Sequence, residues 1–386
     1  MTELLFEPIV DDPFAPFRHK SDTGASLYAA GYPSYPANFT RDTLKAGIIS
    51  GRADLLLSQL EISADNQGSK IDPLTGEWPG KIHHELPGAH LEGRGEGLTT
   101  YNACDTTALF LIGAEGISNL DEKASTVFLA KRRNNLEQAA NHIISLVGED
   151  DGLYWDRTPD ENTKYTLRVT YWKDSILPHA DGKLEPTYPV SFSQAHFITA
   201  RGLLSASRVL KEPAFAQKAD TMFRAGIQAF MRQDSYVVYK DAEGELEQVS
   251  SDELHSLAYI PVEYADLLPL KAMSERVEAL ATPYGYMCTP SSIARYLSDK
   301  YHGDKIWVFE QANIHYGASK FGLIREAATA AAIAEHIGEG QELFGITHDD
   351  EGNTSLIPEG NDRQLWSVAA AEYFASNSAL SKEAWL

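Results

Sequence analysis

Apolar side chains recur along this chain at the three- and four-residue steps of a helix wherever the pattern is regular. Leu129, Leu136, Ala140, Ile143 and Val147 share one face, and Ala195, Ile198, Gly202, Leu203 and Ala206 share another in the next long segment. Pro213 then opens a helix with Phe215, Ala219, Met222, Phe223, Gly226 and Phe230 on one stripe. An Ala-rich helix is predicted from about 324 to 337, stopping before Gly338. Further helices are predicted over 41–62, 103–114, 254–281, 291–300, 309–318 and 364–376. Strand signal is confined to the run Tyr236-Val-Val-Tyr-Lys-Asp241. The chain therefore reads as all-α, and no linker-like stretch rich in Pro, Gly and Ser divides residues 1–386, so one domain is expected.

Two long segments, 63–102 and 148–190, interrupt the helices and are crowded with aromatic, Gly and carboxylate residues. Long ordered loops in a compact domain are usually functional. A helical body with such loops at one end suits a carbohydrate cleft, because rings stack on the apolar faces of sugars and carboxylates accept from hydroxyls. The formal net charge of -22 argues against nucleic acid and anionic membranes as partners but is indifferent to a neutral substrate. The N-terminal stretch MTELLFEPIVDD has no basic region followed by an apolar core, and no run approaches the length of a membrane span, so a cytoplasmic location is expected. The two cysteines, Cys104 and Cys288, fit no metal-ligand spacing and are expected as buried thiols.

Five segments carry candidate chemistry. Arg41 and Asp42 pair a multi-donor fork with an acceptor, suited to vicinal hydroxyls; alternatively Thr40 or Asp42 caps a helix. Lys81, His83, His84 and Glu85 fall within five positions. Neighbours in an extended segment point to opposite sides and the helical zinc-binding spacing is absent, so a polar wall is expected there and no metal site. Tyr101 and Asp105 stand where an apolar helix begins, and Asp105 alone reads as an N-cap. Asp174 lies between Lys173 and Ser175 beside Trp172, where an indole wall raises a carboxyl pKa and the ammonium lowers it. Glu342 follows Asp174 by 168 positions (342 minus 174), and Glu310 is a rival acceptor within an aromatic stretch.

In that order the segments resemble the amylo-alpha-1,6-glucosidase catalytic domain of glycogen debranching enzymes, and more distantly the glucoamylases, over about residues 35–376. The most specific match is NQGSKIDPLTGEWPGKIHHE (66–85); TRDT, YNACDTTALFL, YWKDS, ELF and RQLWSVAA are similar to further motifs of that family. Thr170 and Tyr171 replace a usual Gly, Leu86-Pro87 replaces a usual basic residue, and accessory domains of the debranching enzymes have no counterpart. The resemblance implies an (α/α)6 toroid with active-site loops and hydrolysis of an alpha-linked glucoside or short alpha-oligosaccharide with inversion. It implies Asp174 as general acid and Glu342 as general base, with Arg41, Asp42, His84, Glu85, Tyr101, Asp105, Trp172, Lys173 and Trp366 at the sugar site; Glu310, a competing base among aromatic and polar residues, is expected to contact sugar or stabilise the helix end. No cofactor is required, because the chemistry is proton transfer. Two rival readings stand beside it. One is a sugar epimerase or isomerase on the same toroid, for which His196, His255 and His315 are candidates; the other is a catalytically silent carbohydrate-binding protein. Oligomeric state leaves no trace in the sequence.

Overall fold

The computed structural model describes residues 12–20, 26–86, 99–157, 169–175, 186–295, 297, 300–349, 351 and 353–376. Among them are twelve α-helices. α1 (Thr40–Ser50), α3 (Thr106–Leu120), α5 (Ser193–Leu210), α7 (Asp252–His255, continued by a 3-10 turn at Ser256–Ala258), α10 (Val308–Lys320) and α12 (Leu365–Ser376) form an inner ring. Each packs on the next, and α12 packs on α1, so the ring closes. α2 (Ala53–Asp65), α4 (Glu122–Ser145), α6 (Pro213–Phe230), α8 (Leu270–Val277) and α11 (Ile324–Ala331) return along the outside, and α9 (Ser291–Ala294) is a single turn. The architecture is the expected all-α, six-fold (α/α)6 toroid.

Position in the ring explains composition. The outer α6 buries one stripe, Ala219, Met222, Phe223, Gly226, Ile227 and Phe230, and leaves the opposite face wet. The inner α1 is buried from Thr40 to Ile49, so its polar residues must find partners inside the molecule. Two-residue strands lead into four inner helices. Asn38–Phe39 enters α1 and pairs with Glu85–Leu86, and Ser191–Phe192 enters α5 and pairs with the strand Val237–Asp241. Ile306–Trp307 enters α10 and pairs with Leu343–His348, while Arg363–Gln364 enters α12 and pairs with Gly31–Tyr32. These pairings stitch the connecting segments together at the N-terminal end of the inner helices, toward which the positive ends of their dipoles point.

Several predicted elements are corrected. The helix expected over 41–62 is two, divided where Gly51 adopts a left-handed backbone (φ 64) and turns the chain back. Over 254–281, Pro261 and Pro269 break the helix into α7, 3-10 turns and α8. The helix at 291–300 shrinks to α9, and that at 324–337 ends as a 3-10 segment over Ala332–His336. A hairpin of Leu343–His348 and Thr354–Glu359 was not expected. Phe39, rather than Thr40 or Asp42, occupies the N-cap position of α1. Parts of the long segments, 87–98, 158–168 and 176–185, lie outside the described residues.

Candidate functional site

The inner helices begin on aromatic or polar side chains rather than on capping residues, with Phe39, Phe192 and Trp307 at the N-cap positions of α1, α5 and α10. This leaves a hollow of about 510 Å³, counting its open mouth. The first turn of α1 contributes Arg41 and Asp42, and the start of α12 contributes Gln364 and Trp366. The segment 169–175 contributes Trp172 and Asp174, the approach to α10 contributes Tyr301, His302 and Trp307, and Glu342 enters from the residue before its strand. Tyr35, Phe39, His84 and Ala30 complete the wall.

Glu342 is buried and held at both oxygens: Tyr301 Oη donates to Oε1 at 2.5 Å and the Asn361 backbone N–H to Oε2 at 2.7 Å. Burial pushes its carboxyl above the usual range, against the pull of those two donors. Asp42 accepts from Gln364 Nε2 at 3.0 Å. Burial lifts it to about 7, opposed by Arg41 and Lys45 and assisted by the charge of Glu342. Asp174 is 42% exposed, and its Oδ1 lies 3.4 Å from His302 Nδ1. Trp172 meets Trp307 edge-on with centroids 5.6 Å apart, and Trp366 stacks on Phe309 at 4.0 Å.

Beneath this wall lies a buried ionic floor. Lys173 turns away from the hollow, its Nζ forming ion pairs with Asp252 Oδ1 at 3.0 Å and Glu310 Oε1 at 3.2 Å and donating to Ser251 Oγ at 2.6 Å. Although burial pushes Glu310 up, Lys173 and His255 pull it down to about 2. Asp252, His255 and Glu310 offer ligand atoms within 4.8 Å of one another, and the Lys173 ammonium bonds the two carboxylates of that trio. Lys45 is also buried, without a hydrogen bond, its Nζ 4.9 Å from the Phe309 ring centre and 5.7 Å from that of Trp172. Burial brings it down to about 8.

The structure thus brings Arg41, Asp42, His84, Trp172, Asp174, Glu342 and Trp366 to one hollow. Other expected site residues stand behind or beside it. Asp105 sits at the N-cap position of α3 but makes no side-chain cap; its carboxylate instead receives Arg41 Nε at 2.9 Å on both oxygens. Arg41 Nη2 also donates to the Thr170 carbonyl at 2.9 Å, so Asp105 aims the guanidinium rather than lining the hollow. Tyr101 donates its hydroxyl to the Asn66 carbonyl at 2.8 Å, Glu85 is buried in its strand, and Lys173 and Glu310 belong to the floor. Of the epimerase candidates, His196 is a core residue bonded to the Tyr154 N–H and the Met222 carbonyl. His255 lies in the floor and His315 bonds Tyr373 Oη at 2.7 Å.

Sequence reasoning missed Tyr35, Tyr301, His302, Trp307 and Gln364 as lining residues. A signal existed: an aromatic residue directly before an apolar helix, as in Phe39-Thr-Arg-Asp, recurs at Trp307-Val-Phe-Glu.

No family model matches this sequence, and no curated protein does. Solved structures do match in fold. The GH63 mannosylglycerate hydrolase from Thermus thermophilus in complex with glucose superposes with a TM-score of 0.61 at 14% identity, over 90% of this chain and 95% of that one. A cellobiose 2-epimerase from Spirochaeta thermophila gives 0.54 at 12% identity, covering 90% and 89%. A rhamnosidase from Klebsiella oxytoca with rhamnose bound gives 0.52 at 13%, covering 90% and 59%. At these identities the likeness is one of fold. No helix among the described residues is long and apolar enough to cross a membrane.

Proposed function

We propose that the chain is an inverting glycoside hydrolase acting on an alpha-linked glucoside or a short alpha-oligosaccharide, with Asp174 as general acid and Glu342 as general base. The observation that carries this reading is the meeting of two carboxyls, 168 positions apart (342 minus 174), on one aromatic-lined hollow. Asp174, partly exposed near the mouth, would protonate the leaving oxygen, while buried Glu342 activates a water. A raised carboxyl pKa makes Glu342 a stronger base once ionised. Trp172, Trp307 and Trp366 offer ring faces and edges to the sugar.

A panel of alpha-linked disaccharides and small glycosides, with the released anomer followed by proton NMR, tests the reading. The β anomer is expected first; an α anomer would overturn inversion. Asp174→Asn and Glu342→Gln are each expected to lower kcat by about 10² to 10⁴-fold. Full activity in both would remove the assignment.

One observation supports a second reading, a sugar epimerase: two imidazoles, His84 and His302, line the same hollow. That reaction would place solvent deuterium in the sugar without releasing a free aglycone, whereas hydrolysis gives two products.

A further inference from the structure

Tyr301 and His302 are consecutive, yet each touches a different one of the two carboxyls. Both rings lean on one indole: His302 stacks on Trp307 at 4.8 Å and 10°, and Tyr301 meets it edge-on at 4.8 Å and 79°. Trp307 Nε1 returns a bond to the Tyr301 carbonyl at 3.0 Å. The pair is therefore braced from below before either side chain reaches the hollow.

The two contacts have opposite polarity. Tyr301 Oη donates to Glu342 Oε1, and burial together with the Glu342 charge raises the phenol so that it keeps its proton. A donor aimed at a carboxylate favours the ionised form. His302 shows the reverse. Its backbone N–H donates to Ser175 Oγ at 3.3 Å, which leaves the hydroxyl proton for Nδ1 at 3.0 Å, and the Ser175 backbone N–H also lies 3.3 Å from Nδ1. Two donors on Nδ1 put the ring proton on Nε2. Asp174 Oδ1, 3.4 Å from Nδ1, therefore faces a lone pair. An ionised carboxylate there meets repulsion, which favours the protonated acid. Burial also keeps the imidazole neutral, holding it well below its ordinary range.

We propose that Tyr301 and His302 form a two-residue positioning element that holds the base ready to accept a proton and the acid ready to give one. The inference rests on the acid and base assignment above. Other groups face the same carboxyls: Asp42 and, beyond Tyr301, Tyr35 lie near Glu342, while Tyr35 and Asp174 also interact and Lys173, Glu310 and Arg41 act on His302. None of these is altered by the substitutions below.

Tyr301→Phe keeps the ring on Trp307 and removes the donor; His302→Phe keeps the stack and removes the acceptor. In kcat/KM profiles, Tyr301→Phe is expected to move the acid limb to higher pH, and His302→Phe the alkaline limb to lower pH, each by about half to one unit. The double variant narrows the bell from both sides. His302→Asn, which returns an acceptor near the Nδ1 position, is expected to restore the alkaline limb. Infrared titration of the carboxyls, difference spectra being taken against Asp174→Asn and Glu342→Gln, reads the same two protonations without turnover and should show the same displacements. Slower variants with both limbs and both titrations in place would show a merely structural role and overturn the inference. If instead Asp174→Asn and Glu342→Gln stay fully active, it is the acid and base assignment that fails.

Discussion

Asp42 shows how one buried side chain makes stability depend on pH. Burial lifts it to about 7, and the nearby Glu342 charge adds to the shift. Because that value lies above the unfolded carboxylate's, the native protein binds more protons between about pH 4 and 7, and Asp42's contribution to stability falls as pH rises through this window. Asp42→Asn removes this loss. Thermal unfolding across the range should show the variant gaining on the wild type with rising pH, by at most about 1.4 kcal/mol per unit. Lys173, expected at the sugar site beside Asp174, turns instead to the floor, whereas the opposite directions expected of neighbours in the His83–His84 segment are seen. His83 is fully enclosed with neither ring nitrogen bonded, while His84 lines the wall. The depth of each residue was not legible. Glu85, Tyr101 and Asp105 sit in the right motifs one layer behind the wall, since a motif places a segment but not the face each side chain takes.

Between elements, α3 and α5 approach closely at Gly202. A Cβ there would stand 2.9 Å from Ala108 Cα and Cβ and 3.0 Å from its carbonyl oxygen, and backbone cannot yield as a flexible side chain would. Gly202→Ala should cost about 1–3 kcal/mol, read by urea unfolding, with kcat/KM of the folded enzyme unchanged because the contact lies away from the hollow. The outer amphipathic helices α4 and α6 were readable because one face is wet. Inner helices such as α1 are buried all round, so their ends depend on local breakers, and Gly51, Pro261 and Pro269 cut what periodicity joined. The hairpin of Leu343–His348 and Thr354–Glu359 shows outward-facing polar residues on both strands, a pattern that helical expectation passed over.

Across the whole molecule, burial presses several imidazoles down: His83 and His142 to about 3, His196 to about 4, with His255 and His302 also lowered. Between those values and about 6.5 the unfolded chain binds more protons than the native one, so stability drains as pH falls below about 6.5. Asp42 and Glu253, both lifted to about 7, and Asp156 and Glu342, also raised, act in the opposite sense, but they are four groups against six, because burial lowers His315 as well. The melting temperature should therefore decline on acidification from about pH 6.5 to 4, and calorimetry at several pH values checks it.

The meeting of α12 with α1 has a consequence for assembly order. The bond between Gln364 and Asp42 spans 322 positions, so forming it pays the closure entropy of a loop that includes most of the chain. Because both side chains also line the hollow, its recognition surface is complete only when the ring is closed. A partly folded chain can hold most of its helices and still have nowhere to seat a ligand.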